Sequence, residues 1–309
     1  MATNPWVPVS PCGAHCVPDT PRVSRLRVWT RLAAFGTFAV LVLALGVATM
    51  AMPRRARHRY WRRSARIALA SMGVRLTIED RRPETARRLR GALIVANHIS
   101  FLDIVAVASV APARFIAKRE VLQMAGFGYV AKLFGVLSHV RGDLGRLRPL
   151  VDRVAGILDR GRSVAVFPEG TTWCGGAAGR FRPAFFQAAV DAGAPIVPMR
   201  LSYSESGRPT TLAGFIGDDT IGTTFSRIVS ARELTVEVTV FDLVLPVPDR
   251  RHLADVCEEQ IVGVPAPHQV ALKPAPSASA EPVLDNAVDR GQDPWTLQND
   301  RADSTPSNV

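Results

Sequence analysis

Apolar residues are spread along this chain in three textures. Residues 32–52 (LAAFGTFAVLVLALGVATMAM) are uncharged and apolar on every side. A helix rises about 1.5 Å per residue, so this run covers roughly the 30 Å hydrocarbon core of a bilayer. Arg31 closes one end; Pro53, Arg54 and Arg55 close the other. A soluble core helix is rarely clamped by Arg at both ends, and a signal peptide needs a shorter leader with a small-residue cleavage site. The pattern therefore predicts a membrane helix. A shorter apolar stretch at 67–74 (IALASMGV) predicts the second arm of a helical hairpin resting in one leaflet. Spanning and monotopic insertion both remain open.

Beyond residue 76 short apolar runs alternate with helical periodicity. Strands are expected at 92–96, 114–117, 136–140, 164–167, 196–201 and 234–241, the last alternating cleanly (LTVEVTV). Helices are expected to open at Ser100, to cover 119–134, and to run over 143–160 before Gly161, 183–192 before Gly193, and 249–262. Such alternation predicts an α/β sheet covered by helices. Residues 265–309, rich in Pro, Ala, Ser and Asp and without period, are expected to be a disordered tail. The expected organisation is a basic N-terminal segment over 1–31, the membrane helix and its basic neighbour over 32–75, a catalytic domain over 76–264 and the tail.

Charge sharpens the membrane reading. The chain has 38 Lys and Arg against 27 Asp and Glu, a net +11. Eleven Arg and no acid lie between Arg22 and Arg66, so the rest of the chain sums to zero. Nucleic-acid binding would place this charge on a folded module, whereas here it flanks one apolar run. Trp29, Tyr60 and Trp61 sit where interfacial aromatics are expected. Four Arg precede the run and seven follow it, which predicts attachment to the cell membrane with the C-terminal part facing the cytoplasm. Four Cys make no disulfide framework. Cys12 and Cys16 around His15 lack a second ligand pair at metal spacing, so no metal is assigned.

Two segments carry candidate chemistry. Asn97-His98-Ile99-Ser100-Phe101-Leu102-Asp103 lies between a buried strand and a helix. Ser100 with Asp103 fits a capping box, which leaves His98 unexplained. A carboxylate on one imidazole nitrogen would fix the tautomer, so that the other nitrogen takes a proton from a substrate hydroxyl. Val164-Ala165-Val166-Phe167-Pro168-Glu169-Gly170-Thr171-Thr172 is a second strand ending in a sharp turn. Between them GVLSHVR ends at Arg141, and APIVPMR follows at 194–200. No G-x-S-x-G supports a serine nucleophile.

In this order and spacing the four segments resemble the glycerolipid acyltransferase family, typified by 1-acyl-glycerol-3-phosphate acyltransferases, over roughly residues 73–262. The resemblance implies a mixed sheet flanked by helices behind an N-terminal membrane helix or hairpin. It implies that His98 is the catalytic base and Asp103 its orienting carboxylate. It assigns Asn97, Ser100, Lys118, Arg141, Glu169, Gly170, Thr171 and Arg182 to substrate binding, with Arg141 and the Glu169–Gly170 turn associated with acceptor phosphate. The implied donor is acyl-CoA or acyl carrier protein, with no cofactor and no covalent acyl-enzyme. The implied acceptor is the sn-2 hydroxyl of a 1-acyl-glycerol 3-phosphate, giving phosphatidic acid. Expected partners are membrane lipids, not nucleic acid. The third block commonly continues with a cation, whereas Thr172 stands here and Ala184 replaces a common Gly. That departure keeps another lysolipid acceptor open, a lyso-ornithine lipid among them.

Overall fold

The computed structural model describes residues 7–87, 91–123, 135–140 and 142–263, all within the contact unit Met1–Pro265. Arg141, the tail at 265–309 and most of the helix expected over 119–134 lie outside the described residues.

Helices α1 (Arg25–Ala48) and α2 (Arg54–Ser71) form an antiparallel hairpin. Pro53, which has no N–H, breaks the helical run and caps α2. β1 (Arg75–Asp80), α3 (Glu84–Arg87), β2 (Leu93–Ala96), α4 (Leu102–Val110), β3 (Arg114–Lys118) and α5 (Arg119–Leu122) follow. Then come β4 (Leu137–His139), α6 (Leu144–Asp159), β5 (Val164–Val166), α7 (Phe186–Asp191), β6 (Ile196–Glu205) and β7 (Arg208–Pro209). α8 (Ile221–Ser230), β8 (Leu234–Val240) and α9 (Arg250–Val262) complete the domain.

The sheet has the order β1-β8-β6-β2-β5-β3-β4, with β7 added to β6. From β6 to β4 neighbouring strands are parallel; β8 meets β6 antiparallel, and β1 lies parallel to β8. The sheet is therefore mixed. β2 (LIVA) and β5 (VAV) are buried at every position because helices cover both faces of the parallel half. Successive side chains of a strand point to opposite faces. Thus Ile94 and Ala96 enter the core under α2, α4 and α8, while Leu93 and Val95 enter the core under α6, α7 and α9. Asp143 and Asp249 cap α6 and α9 by accepting backbone N–H groups, as their place before each periodic run predicts.

The N-terminal segment departs from expectation. α1 starts at Arg25, ahead of the apolar run, and residues 7–23 form a strap packed on the domain. Val23 N–H donates to Ser230 O, and Cys12 is buried. The Arg31 guanidinium donates to the carbonyls of Val229 and Ala231 at 2.7 and 2.8 Å, satisfying the end of α8. A Cβ at Gly73 would lie 2.1 Å from that guanidinium, which together with a φ of +79° requires glycine there. The outer face of α1 exposes Leu26, Trp29, Val40, Leu41 and Leu45. By length and composition α1 is apolar enough to cross a membrane.

Candidate active site

The site gathers where β2 and β5 end side by side, at the C-terminal edge of the parallel strands. The chain leaving β2 is held from three directions. Asn97 Nδ2 donates to Leu201 O at 2.9 Å and its Oδ1 accepts Leu201 N–H at 2.8 Å, fastening the loop to β6. His98 O accepts Trp173 N–H, and Ile99 O accepts Phe215 N–H, both at 2.8 Å. His98 is thereby fixed at its backbone before its ring is considered.

The ring is fixed as well. Asp103, in the first turn of α4, is wholly buried and accepts His98 Nδ1 at 2.8 Å. The same Oδ2 accepts Ile99 N–H at 2.6 Å and Ser100 N–H at 2.8 Å; Oδ1 accepts the Tyr203 hydroxyl at 2.6 Å. Four donors therefore pin one carboxylate. Burial, followed by the charge of Asp103, pushes the Tyr203 hydroxyl well above its ordinary range, so it remains a donor. The imidazole stacks on Phe167 with centroids 4.1 Å apart and a 14° tilt. With Nδ1 engaged by Asp103, the other ring nitrogen, Nε2, is left to meet substrate. One carboxylate serves both arrangements expected of Asp103: it accepts the amides of Ile99 and Ser100 just ahead of α4, and the imidazole as well.

The turn after β5 closes the other side. Glu169 Oε2 accepts His98 N–H at 2.6 Å and Oε1 accepts Gly179 N–H at 2.9 Å. Burial pushes this carboxyl up to about 8, against the pull of those two amides. Gly170 adopts a φ of +74°, and a Cβ there would lie 2.8 Å from Pro8 Cγ of the strap. Thr172 Oγ1 donates to Phe215 O.

His98, Phe167, Gly170 and Thr172 line part of a cavity of about 1350 Å³, above the roughly 300–1,000 Å³ of common small-molecule pockets. His98, Lys118, Gly170, Thr171 and Arg182 line its polar part. Its apolar wall comes from the hairpin and α4, including Phe35, Phe38, Val42, Trp61, Ala68 and Ala108. Such a space fits a long aliphatic chain with its reacting end at His98.

The sequence assignments divide accordingly. His98 and Asp103 are joined, and Lys118, Gly170, Thr171 and Arg182 share the cavity with His98. Asn97, Ser100 and Glu169 do not reach it as substrate ligands. Asn97 and Glu169 are occupied by backbone groups; Ser100 is fully buried, its hydroxyl accepting Leu102 N–H. Their role is to hold His98 and Asp103. Arg141 is outside the described residues. Sequence reasoning missed Tyr203, whose signal is an aromatic hydroxyl at an inward position of β6. Its reading of Cys12 and Cys16 also left out Cys174, whose sulfur lies with theirs in a group within 4.8 Å although it is 158 residues downstream of Cys16.

An α/β domain with a histidine–carboxylate pair beside a lipid-sized apolar cavity has the parts that an O-acyltransferase acting on lipid requires. Comparison with known proteins agrees. The Acyltransferase family model matches residues 77–202. The 1-acyl-sn-glycerol-3-phosphate acyltransferase of Neisseria gonorrhoeae is 34% identical over 202 residues, covering 64% of this chain and 78% of that protein. The lyso-ornithine lipid O-acyltransferase of Pseudomonas aeruginosa is 34% identical over 185 residues, covering 57% and 70%. The crystal structure of the 1-acyl-sn-glycerophosphate acyltransferase PlsC of Thermotoga maritima shares the fold with a TM-score of 0.55 at 19% identity, covering 76% of this chain and 94% of that one. The chain belongs to the glycerolipid acyltransferase family.

Proposed function

We propose that the protein acylates the sn-2 hydroxyl of 1-acyl-glycerol 3-phosphate, using acyl-CoA or acyl carrier protein as donor. The observation that carries this is the His98–Asp103 pair, pinned at the polar end of a cavity whose far wall is the apolar hairpin. His98 Nε2 takes the proton of the acceptor hydroxyl as its oxygen attacks the thioester carbonyl. The tetrahedral oxyanion then collapses, the C–S bond breaks, and the proton on His98 leaves with the thiol. Asp103 stabilises the imidazolium formed in between. The balanced reaction consumes nothing besides donor and acceptor.

The cations lining the polar end, Lys118 and Arg182, support a phosphate acceptor. A second reading, a lyso-ornithine lipid acceptor, is favoured by Thr172: its hydroxyl is engaged by Phe215 O, and no cation stands in its place. The Pseudomonas aeruginosa relative carries that name. Labelled acyl-CoA and acyl carrier protein, offered with lysophosphatidic acid, glycerol 3-phosphate, lysophosphatidylcholine and lyso-ornithine lipid, separate the two. Lysophosphatidic acid should be preferred, and Arg182→Ala or Arg141→Ala should raise its KM. Preference for the lyso-aminolipid with no penalty from either change would overturn the phosphate assignment.

Both flanks of α1 touch the same domain: the strap packs beside Gly170, and α2 packs on α4. This supports a hairpin resting at the surface of one leaflet, with Arg54, Arg55 and Arg57 beside its tip held at headgroup depth and the domain on the cytoplasmic side. A Met52→Cys probe in sealed vesicles should not react with an impermeant thiol reagent from the side opposite the domain. Labelling there would mean that α1 spans.

A further inference from the structure

The cluster formed by Cys12, Cys16 and Cys174 takes no part in the chemistry above. We infer that these three residues hold a thiophilic divalent cation, zinc in the first place, which staples the N-terminal strap to the loop that follows the Glu169–Gly170 turn.

The donor set and its geometry carry the inference. The three sulfurs lie within 4.8 Å of one another, and all are free thiols. Tetrahedral zinc holds sulfur at about 2.3 Å, which sets ligand sulfurs roughly 3.8 Å apart, so a contraction of about 1 Å at most closes the site. The local backbone is shaped for convergence. A single 3-10 turn, Ala14–Cys16, is closed by Cys16 N–H to Gly13 O at 2.9 Å and Val17 N–H to Ala14 O at 3.1 Å. Thr211 Oγ1 holds the Cys16 carbonyl from the other side.

The surroundings of the sulfurs are the second observation. Cys174 N–H donates to Cys12 Sγ at 3.3 Å, and the backbone amides of Gly176 and Ala177 donate to the Cys174 sulfur. Backbone N–H groups aimed at sulfur are the outer contacts that orient and stabilise metal-bound thiolates. A core cysteine does not need them: Cys257 sits fully buried among apolar side chains. Cys16 is only half-buried, which leaves a side open for water as a fourth ligand. Binding displaces the thiol protons to solvent. An oxidative switch would use two sulfurs and leave the third idle; three convergent donors suit a cation.

The staple sits close to the catalytic groups. Trp173, next to Cys174, is bonded to His98 O, and Pro8, Val9 and Ser10 of the strap line the cavity beside Gly170. Removing the cation should therefore loosen the wall at the acceptor end while His98 and Asp103 stay paired.

The test uses full-length protein in detergent, purified with reductant and analysed for metal. Wild type should carry one zinc ion per chain, and cobalt substitution should give the intense visible absorption of a tetrahedral thiolate site. Cys12→Ser and Cys174→Ser should each lower bound zinc by roughly tenfold or more, with Cys257→Ala at the wild-type level. Chelation should speed alkylation of the half-buried Cys16 in native wild-type protein, a readout that needs no variant to fold. Absence of zinc from wild type after purification in zinc-supplemented, reducing buffer would overturn the proposal. So would zinc retained by both serine variants, or a Cys12–Cys174 disulfide recovered from metal-free protein as isolated.

Discussion

Replacing Tyr203 by Phe tests whether Asp103 acts as a positioned base partner or only as a helix cap. The hydroxyl donates to Asp103 Oδ1 at 2.6 Å, and neither group is open to water. Its removal leaves one carboxylate oxygen without that donor, while Oδ2 keeps three. A hydrogen bond to a charged group contributes about 1.5–3 kcal/mol. If the bond serves to aim the carboxylate at His98, that energy appears in the transition state, and kcat falls roughly 10- to 150-fold with KM unchanged. If it serves only the fold, the same energy appears as a Tm drop of about 3–12 °C in a domain of this size. Initial rates under saturating acceptor and a thermal melt, on the same Tyr203→Phe preparation, distinguish the two. A lowered Tm with wild-type kcat would refute the positioning role and return Asp103 to a capping function.

His98→Ala should abolish acyl transfer in a protein with an unchanged circular dichroism spectrum; measurable single-turnover activity would remove His98 as the base. Asp103→Asn can keep an oxygen toward the three donors at Oδ2, so it should fold and lose roughly 10²- to 10⁴-fold in kcat through the missing charge. Burial pushes the Glu169 carboxyl from its ordinary 4.5 up to about 8, so the folded protein holds this proton more tightly than the unfolded chain. The associated stability is complete at low pH and is lost as pH rises through 8. Tm should therefore fall from roughly pH 5 to pH 9, and Glu169→Gln should flatten that slope; an equally steep slope in the variant assigns it to another group. Ala108→Phe narrows the apolar wall and should shift donor preference toward shorter chains. Two methylenes left unburied cost about 1.6 kcal/mol, or roughly tenfold in relative kcat/KM, and an unchanged chain-length profile would place the acyl chain elsewhere.

The central sheet was legible because its strands are buried on both faces and carry little but aliphatic residues. β1 was not, since Arg75, Glu79 and Asp80 interrupt its alternation: it is an edge strand with no fully buried position. α8 was missed because Ile221–Ser230 is dense in Thr, Ser and β-branched residues of modest helix propensity, and the packing of Ile228 and Val229 overrides that preference. At the site, His98 and Asp103 lie in one short segment and could be read together. Asn97, Ser100 and Glu169 look identical in sequence to substrate ligands. Only their partners, Leu201 O, Leu102 N–H and the amides of His98 and Gly179, reveal that they brace the loop. Tyr203 and Cys174 lie 100 and 162 residues from what they touch, Asp103 and Cys12, so no local pattern marks them.

The apolar wall of the cavity comes from the hairpin and α4, so if the hairpin rests in one leaflet as proposed, the space for the acyl chain adjoins that leaflet. Catalysis is then governed by surface dilution. On that arrangement the acceptor would reach His98 by lateral diffusion, and the quantity that saturates the enzyme would be its mole fraction among neighbouring lipids. Diluting an acceptor-bearing vesicle with inert lipid should slow turnover in proportion, whereas adding buffer at constant vesicle composition should leave it unchanged. A membrane-resident product departs by the same two-dimensional route and competes with fresh acceptor in the plane of the membrane, which makes the lipid composition around the enzyme a direct throttle on its output.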